Sequence, residues 1–195
     1  MLRLVIGVEI AFAAIVMGAL LVAGAGKIRM PEPFFGIYQG IVQSTVILPF
    51  AAMVSLNFWV FRANKNARAL SAQTLEYTPG WAVGWFFVPF ASLWQPYKVV
   101  QEIYKASRTP HDWRSTKSTD IVGWWWGAYI FGNLLGLVIN GASADESIDL
   151  VFRRGLAEGL YALIIFHQVL LLILTTRINT WQARAHRDGG IENVF

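Results

Sequence analysis

Two polar residues stand inside apolar stretches, where any chemistry in a bilayer would have to begin. Glu9 interrupts the first stretch, and His167 lies in the last, followed by Gln168. Titratable groups are costly in hydrocarbon, so each is a candidate proton or cation site. An intramembrane His could also ligate a haem or pigment. A bis-His haem needs a second His at similar depth, and His111 and His186 fall in polar segments instead. The plainer alternatives stay open. Glu9 can be a protonated or hydrogen-bonded group near an interface, and His167 a packing residue bonded across helices. Glu158 is expected at the start of the His167 helix, where an acid meets the macrodipole favourably. It precedes His167 by nine residues, which at about 100° per residue sets the two on opposite sides. Asn133 reads as a polar bridge between helices rather than a binding group.

Nothing else assembles into a catalytic set. H-E-x-x-H, Walker and G-x-S-x-G patterns are absent from the sequence. With no Cys, disulfides, thiolate catalysis and Cys-ligated metals are excluded. The expectation is a protein that is not an enzyme and carries no metal and no cofactor.

Small and aromatic residues suggest packing rather than chemistry. Gly123/Gly127 and Gly132/Gly136 are two small-xxx-small pairs that would let helices approach closely. The pairs are offset by nine residues, so they mark opposite faces of one helix. Trp81 and Trp85 bracket one turn, and Trp124, Trp125 and Trp126 form a cluster. They read as an aromatic belt at headgroup level or, alternatively, as the wall of a cavity. In the second case Arg62, Lys65, Arg68 and Lys98 would face anionic lipid.

The elements that must position these residues follow from composition. The chain of 195 residues is 55% hydrophobic and 14% charged, against about 25% charged in soluble domains. Nine Trp and thirteen Phe fit membrane interfaces and packed cores. A crossing helix needs roughly 20 apolar residues. Four runs meet that need, at about 4–26, 36–61, 121–142 and 157–177. The first is expected to be an uncleaved anchor, being longer than a signal core and containing Glu9. The fold class is therefore an all-α polytopic membrane protein, a single domain over 1–195. It has four transmembrane helices plus a proline-broken re-entrant or interfacial segment at about 79–106.

Charge decides how that segment runs. Arg62, Lys65 and Arg68 precede it, and Lys98, Lys105, Arg108, Arg114 and Lys117 follow it. Lys and Arg favour the cytoplasmic side, so the segment is expected to dip and return, broken by Pro89 and Pro96. Twelve of the sixteen basic residues then lie inside, and Lys27, Arg29, Arg153 and Arg154 lie outside. Both termini are expected in the cytoplasm, and the loops 26–35 and 143–154 outside. A short, kinked fifth crossing is the alternative. Past the break, Tyr97, Val100, Ile103 and Tyr104 recur at helical spacing with Lys98, Gln101, Glu102 and Lys105 between them. This reads as an amphipathic helix on the cytoplasmic surface. The net charge of +4 is topological and implies no nucleic-acid partner.

The run from Trp59 to Leu70, the stretch Pro79 to Pro89, then Ser92 to Tyr97, Glu102 and Gly123 to Trp126 resemble a bacterial membrane family catalogued as domain of unknown function 4328. The resemblance covers roughly Val54 to Trp181. It implies a multi-span protein of the bacterial cytoplasmic membrane and brings no activity or ligand residues. The leading expectation is a non-catalytic accessory or interaction subunit. Its partners would be the lipid bilayer and other membrane proteins or a second copy. A small transporter or channel using the broken segment is the alternative.

Overall fold

The computed structural model describes residues 2–25, 32–71, 74–144 and 149–188, with side chains over 2–18, 48–71, 74–141, 149 and 151–188. Of the loops expected outside, 26–31 and 145–148 lie beyond the described residues, with Lys27 and Arg29, whereas 32–35, 143–144 and 150–154 are helical and shorten both loops. Every regular element described is helical. In chain order these are α1 (Leu2–Ala25), α2 (Glu32–Leu70), α3 (Pro79–Gly84), a short 3-10 turn (Ala91–Leu93), α4 (Gln95–Arg108), α5 (Asp120–Ala144) and α6 (Leu150–Asp188).

Among the described residues, two helices are long and apolar enough to cross a membrane, at Asp120–Gly141 and Val151–Asp188. In each, only 22% of the most apolar window is buried, the reverse of a core helix in a soluble protein. α2 and α6 each run for 39 residues, well past the apolar runs that predict them. The extension of α2 carries Arg62, Asn64, Lys65, Asn66 and Arg68, and that of α6 Asn179, Thr180, Gln182 and Arg184; they persist as helix because they pack on one another, Gln182 bonding both Asn66 and the Ala63 carbonyl. α6 also begins earlier than expected. Asp149 accepts a hydrogen bond from the Val151 N–H at 3.1 Å and so caps it. This corrects the reading of Glu158, which sits beyond the first turn, where the macrodipole effect has faded.

Contacts gather the chain into two compact units, Met1–Val54 with Gly127–Val169, and Ser55–Trp126 with Leu170–Phe195. In the first unit, Leu2, Ile6, Glu9 and Ala13 form one buried stripe of α1 at helical spacing. Leu4, Val8 and Ile15 point outward, as do Phe131, Leu134, Leu137 and Val138 of α5. An apolar exterior of this kind suits a lipid solvent rather than water.

In the second unit, the proline-rich segment is folded back on itself. Pro79 opens α3 and Pro96 opens α4, where a missing N–H costs nothing. The break therefore falls between the two helices, around Pro89, and not at Pro96. Phe90 there adopts φ 61°, a left-handed conformation costing of order 1–3 kcal/mol in a residue with a side chain. Local bonds hold it, including Ala91 N–H to the Pro89 carbonyl at 2.7 Å and Ser92 N–H to Val88 at 2.9 Å. α3 has six residues, about 9 Å of helix against a hydrocarbon layer of about 30 Å.

The structure corrects the reading of α4 as a surface helix. Val99, Val100, Gln101, Glu102, Ile103, Tyr104, Ala106 and Ser107 are all buried. α4 is covered by protein because its polar side chains, as well as its apolar ones, have partners in the same unit. Tyr104 packs edge-on against Trp181 of α6, with ring centroids 5.0 Å apart. Ala67, Leu75, Ala106 and Trp113 form a further buried cluster that pins the loops on either side of α4.

Candidate functional site

The densest polar arrangement surrounds α4 and was only partly visible in the sequence. The Glu102 carboxylate accepts hydrogen bonds from the backbone N–H groups of Glu76, at 2.5 Å, and Tyr77, at 3.3 Å. Arg68, one turn from the end of α2, donates to the carbonyls of Leu75 at 2.8 Å and Tyr77 at 2.7 Å. Asn64 donates to the same Tyr77 carbonyl at 3.1 Å and accepts from Arg68 Nε at 3.3 Å. Three side chains from two helices thus hold the backbone of residues 75–77. The loop is fixed through its peptide groups, and the buried Leu75 and the Tyr77 hydroxyl add side-chain contacts.

Burial pushes the Glu102 carboxyl above its ordinary value of 4.5. The two N–H donors pull the other way, the nearby Glu76 charge adds to the rise, and Arg68 opposes it. The Tyr77 phenol is likewise pushed up, first by burial and then by the charges of Glu76 and Glu102. Its hydroxyl donates to Gln95 at 3.0 Å.

The same pattern recurs around the helix. Gln101 donates to the Thr119 carbonyl at 2.6 Å and accepts from the Thr119 N–H at 3.3 Å, pairing with the peptide as a strand would. Gln182 of α6 donates to the Ala63 carbonyl at 2.9 Å and the Ser107 hydroxyl at 2.8 Å. Trp59 Nε1 donates to Asn179 at 3.0 Å, and Ser71 to the Pro110 carbonyl at 3.0 Å. Residues before Pro79 are thereby tied to α4 and to the turn after it, at Tyr77–Gln95, Glu76–Glu102 and Ser71–Pro110. The segment leaves and returns at one place.

Of the intramembrane candidates, the structure joins one to a partner the sequence did not assign. Gln168 donates through Nε2 to Glu9, both side chains being buried in the first unit. Gln168 Oε1 is also buried and makes no hydrogen bond among the described residues. His167 is not part of this pair; its ring lies 5.9 Å from that of Tyr129. Asn133 donates back to the Tyr129 carbonyl of its own helix at 2.8 Å and is exposed, so among the described residues it bridges no helices. Among the described residues no three His, Asp or Glu side chains converge as a metal site would require.

The glycines and tryptophans separate by position. A Cβ at Gly132 would touch Leu163 at 3.6 Å, and one at Gly123 would touch Tyr97 at 3.9 Å, ordinary side-chain contacts. At Gly127 and Gly136 it would meet nothing within 4 Å among the described residues. Among the described residues, none of the four marks a close backbone crossing. Trp125 and Trp126 are buried, whereas Trp124 and Trp81 are exposed. Trp126 Nε1 donates to the Leu93 carbonyl at 2.7 Å, and Trp85 lies 5.1 Å from Trp81. The cluster therefore splits between packing and exposure. Arg62, Lys65 and Lys98 are exposed, while Arg68 is engaged by the loop.

The described residues thus form an all-helical protein with apolar helix exteriors, two helices long and apolar enough to cross a bilayer, and polar groups turned onto their own backbone. The profile of a family described as a domain of unknown function (DUF4328) matches residues 36–180, and the chain belongs to that family. No curated protein and no solved structure matches it.

Proposed function

We propose that the protein is a non-catalytic accessory subunit of the bacterial cytoplasmic membrane. α1, α2, α5 and α6 cross the bilayer with both termini in the cytoplasm, and the protein acts by packing against other membrane proteins or a second copy. One observation carries the non-catalytic reading. Buried Glu102, Gln101 and Gln182 and half-buried Arg68, the polar groups gathered around α4, are committed to backbone groups of their own chain. A side chain that holds the fold in this way is poorly placed to turn over a substrate. That no described residue lies within 4 Å of a Cβ at exposed Gly127 or half-buried Gly136 supports association, since small residues on a helix face admit another helix. Copurification from gently solubilised native membranes tests the reading. A defined partner or dimer is expected, and a solitary monomer would contradict it.

A small transporter is the second reading, and the buried Glu9–Gln168 pair favours it. Proton or cation flux in proteoliposomes, abolished by Glu9→Gln, would establish that reading over the first.

A further inference from the structure

We infer that residues Trp81–Trp94, with Lys98, form an anchor that enters one leaflet to headgroup depth and binds anionic phospholipid. The inference rests on the membrane reading above and names a lipid partner for this segment. The segment is two-faced. On its inner side Ala82 is fully buried, Phe86 packs edge-on against Trp126 with centroids 5.9 Å apart, and Trp126 bonds the Leu93 carbonyl. On its outer side Trp81, Phe87, Phe90, Leu93 and Trp94 are exposed, Phe90 by 80%. The outward set is built rather than left over. Phe90 keeps its position only through a left-handed backbone, and both ends of the segment are tied down by Glu102, Gln95 and Trp126.

Aromatic side chains of this kind concentrate where a bilayer passes from hydrocarbon to headgroup. Charge then selects the lipid. Between Glu76 and Glu102 the one charged residue is Lys98. It is exposed in the first turn of α4, next to exposed Trp94, which caps that helix and accepts the Lys98 N–H on its carbonyl at 3.3 Å. Its stem can lie along the Trp94 ring while the ammonium reaches a phosphate. No carboxylate on the segment competes for it, so an anionic headgroup is favoured over a zwitterionic one.

The test uses the absence of Cys. Full-length Phe90→Cys and, separately, Phe87→Cys are labelled with an NBD fluorophore and placed in nanodiscs holding brominated phosphatidylglycerol or brominated phosphatidylcholine. Leu137→Cys on α5 reports the membrane reading independently. Quenching at position 90 or 87 is expected, with about a fivefold preference for the anionic lipid, the effect of one Lys near an anionic surface. Lys98→Gln should remove that preference. If Leu137 is quenched while both segment labels are not, the anchor is refuted and the membrane reading stands; a protein partner would then be the better occupant. Equal quenching by both lipids refutes the role of Lys98. An unquenched Leu137 refutes the membrane reading itself.

Discussion

Gln168 decides how Glu9 behaves. The pair is buried on the inward stripe of α1, so each side chain must find its partner in the other. Glu9→Gln keeps a hydrogen bond to Gln168 and removes a charge that hydrocarbon disfavours, so expression and assembly should stay close to wild type. Gln168→Leu leaves the carboxyl without its donor and should lower stability by about 1–3 kcal/mol. Melting of the two purified variants in detergent ranks them, and a larger loss in Glu9→Gln would overturn the pairing. Glu102 offers a second test, through pH. The folded chain takes up the Glu102 proton more readily than the unfolded one, so its contribution is full below 4.5 and is lost as pH rises through the folded value. Glu102→Gln removes that slope. Its melting temperature should therefore fall less below wild type at about pH 8 than at about pH 4.5, the sign that linkage requires; the opposite trend would contradict it. Glu9 and His167 stood out in the sequence because each is polar in an apolar run. Gln101, Glu102 and Gln182 did not, because a polar residue in a polar segment gives no sign that it will be buried. The usable clue was that Glu102 shares a helix face with Val99 and Ile103.

At the scale of the element, composition located the helices well and their ends poorly. The apolar runs mark where lipid could surround α5 and α6. The ends of α2 and α6 instead depend on contacts such as Gln182 with Ala63, which no run of residue types announces. The proline-rich segment shows the same division. A break near Pro89 was legible, whereas the helix-starting role of Pro96 required the local backbone. Glycine spacing alone overstated packing in α5, since it cannot say whether a neighbour is present. The open glycines now make a sharper prediction than the spacing did. Gly127→Leu and Gly136→Leu should leave the protein folded, and at least one should change its size on native gels by blocking a helix partner. If both variants fold and migrate unchanged, association through α5 loses its support.

For the molecule as a whole, the account depends on a segment that leaves and returns at one place within a chain proposed to cross the bilayer. Hydrogen bonds from Ser71, Glu76 and Tyr77 to residues beyond the segment tie its two ends together. Charge asymmetry in the sequence pointed the same way, because Lys and Arg flank the segment on both sides. Single cysteines in this Cys-free chain test it most directly, using a membrane-impermeant thiol reagent on intact cells. Glu76→Cys, before the segment, and His111→Cys, after it, are both exposed and should both stay unlabelled until the cells are opened. Asp149→Cys, at the start of α6, should label in intact cells. Labelling of only one of Glu76→Cys and His111→Cys in intact cells would place the two ends on opposite sides of the membrane and contradict the account.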